Sequence, residues 1–112
     1  LMDVVPEPKG RFALTHVKTL AGDGRLSLAA LDIKTGRTHQ IRVHMKHRRC
    51  PVLGDAEYGN NEWNRRLLRH QGVRRPLLHA YRLRFPHPVT GESMDIVAPV
   101  HEDVAMVARR LA

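Results

Sequence analysis

Turn-forming residues cut this chain of 112 residues into pieces too short for long helices or a wide parallel sheet. Gly22-Asp23-Gly24, Gly36, the stretch from Pro51 to Gly59, Gly72 and Pro88-Val89-Thr90-Gly91 each interrupt the apolar pattern. Glycine supplies backbone conformations that other residues avoid, and proline removes a ladder donor. Between these breaks, residues 12–20 alternate as a strand and 26–33 return as a second, giving a hairpin. Residues 77–85 form a further strand, with Leu77, His79, Tyr81, Leu83 and Phe85 on one face, and 93–98 pair back onto it. Asn60 or Asn61 caps a helix over 62–70, with Trp63, Leu67 and Leu68 on its apolar side and Gly72 ending it. Val104, Val107, Ala108 and Leu111 recur at helical spacing near the C-terminus. Over 38–47 the pattern leaves two readings open. Ile41, Val43 and Met45 alternate as in a strand, whereas Ile41 and Met45 are also neighbours on a helix that Thr38 would cap.

The expected fold class is therefore α+β, a mostly antiparallel or mixed sheet built from hairpins with two or three short helices. Residues 1–10, with Pro6 and Pro8, read as an extended lead-in or linker to a single unit over 11–112. Such a sheet would expose an edge, which a missing N-terminal half or a partner chain would cover.

Charge narrows the partners. The chain carries a net charge of +8 from 19 Lys and Arg against 11 Asp and Glu. Residues 34–84 hold thirteen of those cations and three acids, Asp55, Glu57 and Glu62. That middle is +10, and the two ends together are −2. A positive field this concentrated suits a polyanion, through phosphate contacts that do not depend on sequence. No apolar run approaches the ~18 residues that would span a membrane. The single cysteine, Cys50, has no internal partner for a disulfide, which suits a reducing compartment: cytoplasm, mitochondrion or chloroplast.

The residues with chemistry in reach gather between Gly36 and Cys50. Backbone N–H groups at a turn entering a helix attract phosphate, and Arg37 adds a bidentate donor. On a helix, His39, Arg42 and Lys46 share one side. His39, His44, His47 and Cys50 lie close in sequence, but neither Cys-x2-Cys nor a helical His-x3-His with a carboxylate occurs, so no metal site is expected. Ser27 and Ser93 lack a nucleophile-elbow motif, and nothing in its context activates Cys50.

Several motifs then follow in order. Residues 36–44 read GRTHQIRVH, and 50–59 read CPVLGDAEYG. Leu77-Leu78-His79-Ala80, the His87-Pro88 turn and Ala98-Pro99 come after. Over residues 12–111 this series resembles the RluA-type RNA pseudouridine synthases. The one departure inside the loop is Arg49, where that pattern has glycine. The resemblance favours a helix after Gly36. It also makes 11–112 the C-terminal half of a catalytic domain that flips a uridine out of ribosomal or transfer RNA and rejoins the base through C5, without cofactor or metal. It implies that Arg42 pairs with a nucleophilic aspartate. Arg37, Thr38, His39, Gln40 and Lys46 would then lie beside the pocket or the RNA backbone, Leu77 or Leu78 would line the base pocket, and Asp55 and Tyr58 would brace their loop.

The family's nucleophile block, H-R-L-D-x-x-T-S-G, is absent upstream of Gly36. Leu31-Asp32-Ile33-Lys34-Thr35-Gly36 imitates part of it without the arginine and is read as coincidence. The chain alone is therefore expected to be inactive, and Arg42→Ala in an intact enzyme is expected to abolish activity with little effect on the fold. The alternatives are a non-catalytic RNA-binding or ribosome-associated protein derived from the same fold, and a basic protein-interaction module.

Overall fold

The computed structural model describes residues 2–4 and 13–109. Its elements run β1 (Met2–Val4), β2 (Thr15–Gly22), β3 (Ser27–Ile33), α1 (Gln40–His47), α2 (Asn61–Gln71), β4 (Arg82–Pro86), β5 (Ser93–Val97) and α3 (Glu102–Ala108). The class is α+β, as expected. The strands form two separate antiparallel sheets, β1-β2-β3 and β4-β5.

The first hairpin forms where its turn chemistry places it. Asp23 Oδ1 accepts from the N–H groups of Arg25 and Leu26, at 2.9 and 2.8 Å, and Gly24 takes φ 89°. The side chain thus closes the turn while glycine supplies the left-handed residue. β2 begins at Thr15 and runs to Gly22 through an irregularity between Thr19 and Ala21, and Phe12 lies outside the described residues. Within the extended lead-in, Met2–Val4 pair with β2 in the register Met2 to Val17 and Val4 to Thr15.

The strand expected over 77–85 is shorter. Residues 77–81 are not strand, and β4 starts at Arg82. The reason lies in the hydrogen bonds of that segment. Leu77 N–H donates to the carbonyl of Leu53 at 2.8 Å, and the Arg75 guanidinium donates to the carbonyls of Pro76 and Leu78. The backbone is committed to a loop and a side chain before any strand can claim it. Beyond it, Leu83 opposes Ile96 and Phe85 opposes Met94 across the second hairpin.

α2 carries the expected cap, with Asn60 Oδ1 accepting from Trp63 N–H at 2.9 Å and Gly72 in the left-handed region. Leu67 from its apolar side is buried, Trp63 half-buried and Leu68 exposed. α3 is capped by His101, and Val107 is its buried residue. Leu111 falls outside the described residues.

Two small cores result. Val17 and Met45 anchor one, with Ala29, Leu31, Ile41 and Val52 against them, so that α1 seats on the first sheet. Leu67, Val73 and Val107 anchor the other, with Leu53, Leu77 and Met106. The loop between α1 and α2 contributes to both through Val52 and Leu53, and it is this loop that carries Asp55.

Candidate active site

Gly36 to His44 fold through one side chain above all, Gln40. Its amide is fully used: Oε1 accepts from Thr35 Oγ1 (2.6 Å) and Arg37 N–H (3.1 Å), and Nε2 donates to Leu14 O and Thr15 Oγ1, both at 2.9 Å. An amide has two donors and room for two acceptor bonds, so nothing is left for RNA. Gln40 is a buried brace between the start of β2, the turn after β3 and α1, so of the two roles expected of it, RNA contact or pocket, its amide is committed to the fold. Thr15 passes the network on to His44 Nδ1 at 2.9 Å. Burial lowers the pKa of His44, which keeps the ring neutral inside the fold.

Thr38 is not the helix cap. His39 occupies that position with φ 51° and ψ 29°, and no side chain caps from there. Gln40 N–H bonds the Arg37 carbonyl at 3.0 Å while Gln40 Oε1 accepts from Arg37 N–H, which fixes the turn ahead of the helix, and the turn at 38–39 aims His39 toward the following loop. There His39 Nδ1 lies 3.1 Å from the Tyr58 hydroxyl. The Tyr58 ring also gathers the Arg42 guanidinium at 5.0 Å and the Lys46 ammonium at 5.9 Å from its centre. The basic ridge of His39, Arg42 and Lys46 is thus organised around one aromatic ring.

Arg42 is held by a carboxylate from this chain. Nε donates to Asp55 Oδ2 at 2.7 Å and Nη2 to Asp55 Oδ1 at 2.8 Å, with Glu57 Oε1 3.3 Å from Nη2. Asp55 is completely buried. Its Oδ1 also accepts from the N–H groups of Glu57 and Tyr58, each at 3.0 Å. Arg42 first, then those backbone donors, hold the Asp55 carboxyl at a pKa of about 2. A carboxylate with this many donors is a fixed anchor and a poor nucleophile. The pair also revises the expectation for Arg42→Ala, because losing the guanidinium would strand a buried charge and cost stability as well as chemistry.

The loop around Asp55 is built to close tolerances. Asn64 of α2 accepts from Gly54 N–H and donates to Asp55 O, both at 2.8 Å. Gly54 has φ 87°, and a Cβ there would stand 2.1 Å from the Arg75 carbonyl oxygen. A Cβ on Gly59 would meet Asp55 O at 2.2 Å. At the end of α1, Arg49 N–H bonds Lys46 O and Cys50 N–H bonds Met45 O, the paired closure that wants a left-handed residue between. Arg49 supplies it at φ 61°, where the resembling pattern has glycine.

An open, largely apolar hollow of about 170 Å³ lies against these residues, lined by Ile33, Gly36, Arg37, His39, Gln40, Ile41, Arg42 and Leu78. It brings together Arg37, His39, Gln40, Arg42 and Leu78 from the expected set. Thr38 and Lys46 are outside the lining, and Leu77 turns instead into the second core. Ile33 lines the hollow, so Asp32, the next residue of the same strand, projects from the opposite face. Asp32 is exposed and paired with Lys34 at 2.8 Å, and no element brings it to Arg42. Among the described residues, no group of three or more His, Cys, Asp and Glu is placed to hold a metal, and no helix is long and apolar enough to cross a membrane.

The RNA pseudouridylate synthase family is matched over residues 2–47, from β1 through the end of α1. An uncharacterized RNA pseudouridine synthase of Chloroflexus aurantiacus is 40% identical over 110 residues, 98% of this chain and 32% of its own length. The chain belongs to the RluA-type pseudouridine synthase family. A ribosomal large subunit pseudouridine synthase D of Vibrio vulnificus is 39% identical over 112 residues, covering 93% of this chain and 34% of the relative. A tRNA pseudouridine synthase C of Pasteurella multocida reaches 50% over 78 residues, 70% of this chain and 32% of the relative. The chain spans about a third of the length of these curated synthases.

Sequence reasoning within the family assigned Arg42 an external aspartate and gave Asp55 only a loop role. It did not foresee that the two meet. The spacing of 13 residues crosses a helix end and a loop, and no periodicity connects them. Asn64 was equally hidden, although a polar residue flanked on the helix by Trp63 and Leu67 is the signal that could have found it.

Proposed function

We propose that the protein carrying this chain isomerises uridine to pseudouridine in ribosomal or transfer RNA, and that this chain forms the C-terminal part of its catalytic domain. The observation that carries the proposal is Arg42, clamped by buried Asp55 at the edge of a hollow lined by Ile33, Ile41 and Leu78. A guanidinium fixed in this way is pre-organised to meet a second carboxylate, the nucleophile, supplied from outside these 112 residues. Its role is to keep that aspartate ionised and oriented, since a nearby cation lowers a carboxyl pKa. The apolar walls suit the flat faces of an extruded base, whose unstacking costs a few kcal/mol that phosphate contacts must offset. Arg37 and His39, on the rim, face the RNA backbone. The exposed Leu83 and Ile96 of the second hairpin are where the remainder of the domain packs. The single exposed Cys50 suits a reducing compartment.

Isomerisation breaks the N1–C1′ bond, forms C5–C1′ and releases the C5 hydrogen. The complete protein should therefore release tritium from ribosomal or transfer RNA carrying 5-tritiated uridine, and Arg42→Lys, which keeps the charge but loses the fork, should lower that rate at least tenfold. Absence of release from either RNA would overturn the assignment.

A further inference from the structure

We infer that the outer face of α2, together with the β2–β3 turn, is a second RNA-phosphate contact surface, separate from the hollow; the inference rests on the synthase reading above. α2 has two opposed sides. Asn64 and Leu67 face inward, one bonded to the Asp55 loop and the other buried in the second core. One half-turn away, Glu62, Arg65, Arg66 and Arg69 are all exposed and share a stripe. Arg66 pairs with Glu62 at 3.2 Å. The side chains of Arg65 and Arg69 have no ion pair or hydrogen bond among the described residues.

The stripe extends onto a second element. The guanidinium of Arg25, from the β2–β3 turn, sits 5.3 Å from the centre of the Trp63 ring, and that of Arg66 sits 5.4 Å from it. Two cations on one ring and two more a helical turn apart repel one another in the free protein. An anion brought among them relieves that repulsion. The helix is about 16 Å long at ~1.5 Å per residue, so the charges form a line suited to successive phosphates of one polyanion. The side facing inward holds the loop that holds Arg42, so RNA bound along α2 would be in fixed register with the hollow.

The test is the salt dependence of affinity, measured by fluorescence anisotropy on the complete protein with a labelled mixed-sequence RNA hairpin. Counterion release gives each phosphate contact a slope of about 0.7 to 0.9 in log K against log salt. Arg65→Gln/Arg69→Gln should therefore flatten the slope by about 1.4 to 1.8, and Arg65→Lys/Arg69→Lys should restore it. Glutamine keeps the helix propensity of arginine, so the fold is preserved. An unchanged slope in a protein that still releases tritium would remove this surface and leave the synthase reading standing. A flattened slope in a protein that releases no tritium would do the reverse. An unchanged slope with retention on a polyglutamate column would assign the face to an acidic protein and overturn the inference.

Discussion

Asp55→Asn isolates the contribution of the clamp on Arg42. The wild-type carboxyl falls from the ordinary 3.8 to about 2, which corresponds to about 2–3 kcal/mol in favour of the ionised folded form. Removing one partner of a buried pair typically costs ~3–5 kcal/mol. Asparagine keeps an acceptor for the Glu57 and Tyr58 N–H groups but places an amide donor against a guanidinium. The lower end applies, about 2–3 kcal/mol. Against a net stability of ~5–15 kcal/mol for a typical domain, that loss is easily measured.

The assay is urea unfolding followed by circular dichroism, on parent and variant, from neutral pH down to about pH 2. The sign is fixed by the direction of the shift. Asp55 has a depressed folded pKa, so its stabilisation is complete above the unfolded value and is lost as pH falls from about 3.8 toward about 2. The parent should lose stability in that window more steeply than Asp55→Asn, and the two curves should converge. A double-mutant cycle with Arg42→Ala should return a coupling of about 2 kcal/mol, because the second loss leaves no further buried charge. A difference at pH 7 under about 0.5 kcal/mol, or curves that stay parallel into acid, would refute the claim that Asp55 holds Arg42 as a buried ion pair.

Other expectations follow from single contacts. Gly54→Ala should cost at least about 2 kcal/mol in the same unfolding assay, since its Cβ meets the Arg75 carbonyl at 2.1 Å and its backbone is left-handed. Arg49→Gly should stabilise by up to about 1 kcal/mol by relieving the φ 61° arginine at the end of α1, and a loss of stability would contradict that reading. Thr15→Val removes the hydroxyl between Gln40 and His44 and should cost about 1–3 kcal/mol. His44 has a pKa lowered from 6.5 by burial, so stability should be full above that value and decline below it as the unfolded chain takes up the proton first; His44→Gln should abolish that step.

Much of the architecture was legible because its signals are local. The Asp23-Gly24 turn, the Asn60 cap and the Gly72 stop each act within four residues of themselves, and each fixed an element end. What was misread depended on distant partners. Residues 77–81 alternate like a strand, yet at its start the Leu53 carbonyl takes the Leu77 N–H and the Arg75 side chain takes the Leu78 carbonyl. Thr38 precedes a helix with the right side chain for a cap, yet the turn that Gln40 closes on Arg37 puts His39 in the cap position instead. Of Leu77 and Leu78, adjacent in sequence and equal in hydropathy, one enters the core and the other the hollow. Leu77, whose N–H bonds the Leu53 carbonyl, is the one in the core.

The same contrast bears on how the site works. Arg42 and Asp55 neutralise each other, so the clamp adds little net field, and on the proposed reading the attraction for RNA comes from the other cations, beside the hollow and on α2. A second carboxylate entering beside Asp55 would meet a like charge at close range, so only a direct charge-assisted bond from Arg42 can keep it ionised there. Here Arg42 faces Asp55 and Glu57, and the Lys46 ammonium lies 5.9 Å from the centre of the Tyr58 ring. Phosphate contacts alone would be satisfied by arginines anywhere on the surface. An arginine already saturated on one edge by a buried aspartate is a costly way to bind RNA and an effective way to hold a guanidinium still. That geometry favours a role in orienting chemistry over one in affinity. Arg42→Lys should accordingly lower the rate at saturating RNA far more than it weakens binding, whereas a matched loss in binding with an unchanged rate would assign Arg42 to the RNA backbone instead.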